Sequence, residues 1–150
     1  MILKLEHKKH SVATTIQAVF QVSYAIEAAL LKAIDFPPLK RTVANFLDSN
    51  TDFFGYMING DVAAVIEVDS NMEVVHIQSL VVDPRYFRRG IGRKLVQYVL
   101  DKYETKLITV ETGLENIPAI SLYKSFGFKE VKQWDTDHGI RKIRFEIVKN

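Results

Sequence analysis

The 150-residue sequence contains no cysteine, which excludes disulfides, thiolate metal sites and a cysteine nucleophile, so any catalysis must use other groups. That absence fits a reducing compartment, and a cytoplasmic protein is the expectation. A charge imbalance is lacking too. Twenty Lys and Arg against 18 Asp and Glu leave a formal +2, so the whole-chain balance requires neither nucleic acid nor an anionic membrane as partner. No window reaches the roughly 18 apolar residues of a spanning helix, and the opening MILKLEHKKH has lysine and histidine where a signal peptide needs its apolar core. The four histidines, at 7, 10, 76 and 138, form neither an HExxH pair nor a cluster with carboxylates, so no metal is expected. Repeats, low-complexity tracts and Gly/Ser linkers are also absent, which leaves one domain over 1–150. A domain of that length with 47% hydrophobic residues buries roughly 70% of its unfolded surface and can build a real core.

What is present reads as an α/β layout. From Ser11 to Ala33, Val12, Ile16, Val19, Phe20, Ser23, Ile26, Ala29 and Leu30 recur at helical spacing, predicting a long amphipathic helix capped by Ser11, with room for one break. Pro37 and Pro38 end it, and Leu39–Leu47 suggests a second, shorter helix. Strands are predicted at Phe53–Ile58 and Val62–Asp69, joined by the hairpin turn Asn59-Gly60-Asp61, and a third at Met72–Val82, stopped by Asp83-Pro84. A helix Gly90–Tyr103, a strand Leu107–Glu111, a helix Ile117–Ser125 and strands Lys129–Trp134 and Ile140–Val148 complete the order.

The stretch SLVVDPRYFRRGIGRKLVQYVL, Ser79–Leu100, carries the chemistry: an apolar strand, a basic glycine-bearing loop and a helix start. Gly90 and Gly92 let the backbone approach an anion without a Cβ in the way, and the free N–H groups of the first turn point outward with the positive end of the helix dipole behind them. Arg88, Arg89, Arg93 and Lys94 add charge around the spot, which suits a pyrophosphate. GxxxxGK[ST] is absent, excluding a P-loop, and the loop lacks the third glycine and βαβ setting of a dinucleotide fold.

This stretch resembles the acetyl-CoA motif of GNAT acetyltransferases, [QR]xxGx[GA]. FRRGIG, Phe87–Gly92, matches both glycines but has Phe87 where the family usually places Gln or Arg. NIPAISLYKSFGF, Asn116–Phe128, resembles the family's NxxAxxLYxxxGF. The resemblance implies a mixed, mostly antiparallel sheet of six or seven strands flanked by about four helices. It also implies acetyl-CoA as acyl-donor co-substrate. Leu80, Val81 and Val82 would offer backbone groups to its pantetheine arm, Arg88, Arg89, Gly90, Ile91, Gly92, Arg93 and Lys94 would hold the pyrophosphate, and Asn116 would contact the cofactor where two parallel strands splay apart. Tyr123 would sit near the sulfur and protonate the departing thiolate.

The acceptor amine must lose a proton before it attacks, because an ammonium has no lone pair. Glu111, where several relatives of this fold carry a catalytic glutamate, and His76, where others place theirs, compete for that role with a water chain. Glu67 and Glu73 read as solvent-facing. A strand-edge amide, that of Val81, would donate to the thioester carbonyl. Direct attack in a ternary complex is expected, since no serine stands in a GxSxG elbow. Expected partners are a small-molecule or peptide primary amine, with a homodimer left open and no nucleic acid or membrane. The rival readings are a non-catalytic acyl-CoA sensor or interaction module, and a nucleic-acid binder using Arg85, Arg88, Arg89, Arg93 and Lys94. The resemblance implies that the acceptor is set where members of that family diverge, here the first two helices, the Asn59 hairpin and the loop Asp135–Arg141, with Phe36, Phe46, Phe53, Phe54, Tyr56 and Trp134 as aromatics that could line a pocket.

Overall fold

A computed structural model describes residues 1–149. Among them the elements run β1 (Ile2–Lys4), α1 (His10–Leu30), α2 (Val43–Asp48), β2 (Asp52–Ile58), β3 (Asp61–Ser70), β4 (Val74–Val82), α3 (Ile91–Lys102), β5 (Leu107–Gly113), α4 (Ile117–Ser125), β6 (Lys129–Asp135) and β7 (Arg141–Val148). The strands form one sheet in the order β1-β2-β3-β4-β5-β7-β6, in which β4 and β5 run parallel and every other pair antiparallel. This is the mixed, mostly antiparallel sheet with four α-helices that the sequence led us to expect.

The departures have local causes. β1 was not foreseen: three residues show no periodicity, and it exists because Ile2–Lys4 pairs with Tyr56–Phe54 of β2. Helix α1 is unbroken, consistent with the lack of Gly and Pro inside it, and starts earlier than Ser11. Its N-cap is Lys9, with no side-chain cap, and Ser11 lies in the first turn. Ile26 and Leu30, read as core, are 43% and 45% exposed, while Ala13, Ile16, Phe20 and Ala28 are buried. The buried stripe lies to one side of the one read from spacing. The second helix divides into a 3-10 turn at Pro37–Lys40 and α2, because Thr42 closes a reciprocal capping box with Asn45 and restarts the helix there. The β2–β3 hairpin turns on Asn59 and Gly60, both at positive φ as a two-residue turn of this hand requires.

Two cores sit on opposite faces of the sheet. Leu95, Val96 and Val99 of α3 and Ile120 of α4 pack on Ile66, Ile77, Ile108 and Phe145. On the other face Ile16 and Phe20 of α1 and Phe46 of α2 pack on Phe53, Val65 and Val81. Each fully buried large side chain contributes roughly 1.5–3 kcal/mol, so α1 is held chiefly along its first half.

The feature that positions the site is a divergence. β4 pairs with β5 from Val74↔Leu107 to Ile77↔Val110 and no further. At that point Gln78 is an extra residue in β4, since Val68 of β3 faces Ile77 and Glu67 faces Ser79. The bulge bends β4. Beyond it Ser79–Val82 stay with β3, Glu111–Gly113 stay with β7, and a wedge opens between two parallel strands.

Candidate active site

The β4 side of the wedge presents unpaired backbone. Asp83 N–H donates to Ala63 of β3, at 2.9 Å, whereas Val82 N–H donates to Ser23 Oγ of α1, at 3.3 Å. Peptide groups alternate along a strand, so the amides of Leu80 and Val82 face the wedge and that of Val81 faces β3. The Val81 amide expected at the carbonyl is therefore turned away, and Leu80 supplies the free donor on this edge.

At the mouth of the wedge lies the glycine loop. Arg88 (φ +64°) and Gly90 (φ +71°) are in the left-handed region, and Gly90 is the N-cap of α3. A Cβ at Gly92 would meet Leu122 of α4 at 3.6 Å and Leu80 of β4 at 3.8 Å, ordinary contact distances, so the first turn of α3 sits between the two walls of the wedge. Three of the loop's cations have partners of their own. Arg93 donates to Ser125 Oγ at 2.7 Å, Lys94 to the Tyr56 hydroxyl at 3.3 Å, and Arg89 stacks over Tyr86. Arg85 pairs with Asp83 at 2.9 Å. The loop thus offers the free backbone N–H groups of the first turn of α3, with Arg85, Arg89, Arg93 and Lys94 each turned to a different partner.

Inside, the wedge widens into a cleft of about 610 Å³ between α1, the Pro37–Lys40 turn, β4, β5, α4 and His138 of the β6–β7 loop. Tyr123 lines it, buried at 4% exposure against Phe128 and Phe145. Burial, then the neighbouring Tyr24 and Glu27, push its phenol above the usual tyrosine range, so it is a protonated donor at neutral pH. Glu111 also lines the cleft, its carboxylate held by Arg144 at 2.7 Å and Lys142 at 3.8 Å. Asn116 caps α4 by accepting from Ala119 N–H, and its Nδ2 donates to Glu27 Oε1 at 2.5 Å.

His76 lies near the Glu111 carboxylate but does not border the cleft. It lies on β4 before the bulge, outside the cleft lining, with Nδ1 at 2.7 Å from Thr109 Oγ1. Burial holds it below the ordinary histidine range. Glu73 is exposed in the β3–β4 turn, as read, but Glu67 is not solvent-facing. At 1% exposure it takes both arms of Arg41, at 2.6 and 2.8 Å, and hydrogen bonds from Thr51 and Ser79. Of the aromatics named for an acceptor pocket, Phe46, Phe53 and Phe54 are core and Phe36 lines the cleft. The residues that spacing missed are Glu27, Arg41 and Tyr24. A glutamate on the stripe Phe20, Tyr24, Glu27, Leu31 was the available signal.

Comparison with known proteins places this geometry. A family model described as acetyltransferase (GNAT) family matches residues 18–128. The chain belongs to the GNAT family. Relatives within reach of sequence comparison include UPF0157 protein YqkA of Bacillus subtilis (strain 168), 37% identical over 148 residues, which cover 98% of this GNAT chain and 43% of the relative. The chain thus spans less than half the length of that relative. A second is ribosomal protein bS18-alanine N-acetyltransferase of Escherichia coli (strain K12), 30% identical over 102 residues, covering 66% of this chain and 69% of the relative. A crystal structure of the E. coli ribosomal-protein-S18-alanine N-acetyltransferase shares the fold at TM-score 0.78 with 23% identity, covering 99% of this chain and 92% of that one. The PaiA N-acetyltransferase of Thermoplasma acidophilum, solved with coenzyme A, superposes at TM-score 0.75 with 18% identity, covering 99% and 98%. Among the described residues no helix is long and apolar enough to cross a membrane.

Proposed function

We propose that this GNAT domain transfers the acetyl group of acetyl-CoA to a primary amine, the α-amine of a peptide or protein N-terminus, by direct attack in a ternary complex. The observation that carries the reading is the wedge, with the free Leu80 amide on its β4 edge, a helix N-terminus at its mouth and an ionisable cleft within. The residues fit such a ligand. The Leu80 carbonyl, on the same side of the strand as its amide, is free to accept from an extended chain bearing amides, as pantetheine does, and the first-turn N–H groups of α3, which follow the unobstructed Gly90, are without intrahelical partners and open to a pyrophosphate. Bound acetyl-CoA would supply the activated acyl group; the chain supplies position and proton transfer. Leu80 N–H is the donor for the oxygen on which charge develops, and Tyr123 the acid for the sulfur. Of the bases considered from sequence, Glu111 borders the cleft and His76 does not. The peptide acceptor is supported by the relative that acts on the alanine of ribosomal protein bS18.

Thiol release from acetyl-CoA, measured with an Ala-initiated peptide, a polyamine and an aminoglycoside, tests the reading. Acetylation of the peptide α-amine is expected. Acetyl-CoA binding without turnover on any amine would favour a sensor, and absence of binding would remove the cofactor assignment as well.

A further inference from the structure

Two carboxylates line the cleft, and their surroundings differ. Glu111 is engaged by two cations, Arg144 and Lys142. Glu27 projects from α1 and receives one hydrogen bond, from Asn116 to Oε1; among the described residues its Oε2 has no partner. A half-buried carboxylate without a cation in contact is costly to hold ionised, and helix position 27 on the stripe facing the sheet would otherwise take an apolar side chain. Burial raises the Glu27 pKa, against the Asn116 hydrogen bond and the charge of Lys142. The groups that bear on it are Tyr24 on its own helix, Asn116 and Tyr123 on α4, and Lys142 on β7. Glu27 is therefore a basic carboxylate beside the phenol assigned as acid, with one oxygen open to the cleft.

We infer that Glu27, and not Glu111 or His76, receives the proton of the acceptor ammonium, with Asn116 fixing its orientation. This rests on the acetyl-transfer reading of the same cleft. One N–H bond of the ammonium breaks and its proton goes to Glu27 Oε2. The freed lone pair forms the N–C bond, and the C–S bond breaks with its electron pair on sulfur. Tyr123 gives its hydroxyl proton to that sulfur and is restored by the second proton leaving nitrogen. Glu27 then returns its proton to solvent. Glu111 keeps Arg144 and Lys142 in place.

Glu27→Gln preserves volume and can still accept from Asn116. With an Ala-initiated peptide, it should lower kcat by about a hundredfold, abolish the acid limb of the kcat–pH profile, and leave acetyl-CoA affinity by calorimetry unchanged. Glu27→Asp should retain part of the activity, and Glu111→Gln should lose less than Glu27→Gln. A Glu27→Gln enzyme with near wild-type kcat, or a loss matched by an equal loss of acetyl-CoA affinity, overturns the assignment while leaving acetyl transfer intact. Wild-type protein inert toward every amine in the panel overturns both readings.

Discussion

Gly90 and Gly92 flank the same turn but constrain it differently. At Gly90 the backbone is left-handed, so any side chain is strained by roughly 1–2 kcal/mol although nothing lies within 4 Å of its Cβ position. At Gly92 the backbone is helical and a methyl fits between Leu80 and Leu122. Gly92→Val adds no left-handed strain but drives its branched carbons past that methyl position against the wedge walls Leu80 and Leu122: calorimetry should show acetyl-CoA binding lost while circular dichroism stays native. Gly90→Val should lose both affinity and stability. Tyr123→Phe keeps the packing against Phe128 and Phe145, so turnover at saturating acetyl-CoA should fall with affinity little changed. Glu27 adds a prediction about stability. Its folded pKa is raised, so the folded state binds more protons than the unfolded one, and the contribution present below the unfolded value is lost as pH rises through the folded value. Glu27→Gln should then raise Tm at neutral and alkaline pH relative to wild type and leave it nearly unchanged near pH 4. Opposite signs for activity and stability are expected of a group kept for function.

At the scale of elements, Arg41 and Glu67 join the acceptor side of the cleft to the bulge. Arg41 leads into α2 and stacks on Phe46, at 4.2 Å from the ring centroid, while Glu67 holds Ser79 just past Gln78. Removing one partner of a buried pair costs about 3–5 kcal/mol. Arg41→Ala should lose that much by urea denaturation, and because the cleft wall moves with it, acceptor KM should rise more than acetyl-CoA Kd. This pair also shows where sequence reading stops. Strand alternation gives Glu67 two faces, and only the position of α1 and α2 makes one of them interior. Likewise the spacing in α1 admits neighbouring stripes; the chosen one took in Ile26 and Leu30, and the true one carries Tyr24 and Glu27. By contrast the places of Gly90 at the start of α3 and of Asn116 and Tyr123 on the cleft were legible, because they lie in contiguous motifs that resemble a known family, while the roles given to them are proposals. The 3-10 turn and β1 were not, being too short for a period to show.

For the whole molecule, the two cores are separate on the two sheet faces, and the wedge lies between strands that share no bonds with each other beyond Ile77 and Val110. A ligand at a hundred times its Kd stabilises by about 2.7 kcal/mol. At about 2–4 °C per kcal/mol for a chain of this size, acetyl-CoA should raise Tm by about 5–11 °C, and Gly92→Val should erase the increment.

The wedge is a sheet with a strand missing, a gap that the arm of a bound cofactor would fill as a substitute. The Val81 amide, facing β3, is protected at all times, whereas the Leu80 amide has no strand to bond until something extended arrives. Hydrogen–deuterium exchange should therefore slow sharply at Leu80 when acetyl-CoA is added and hardly change at Val81. The alternation of peptide directions along β4 would thus become a residue-by-residue record of whether the gap is filled.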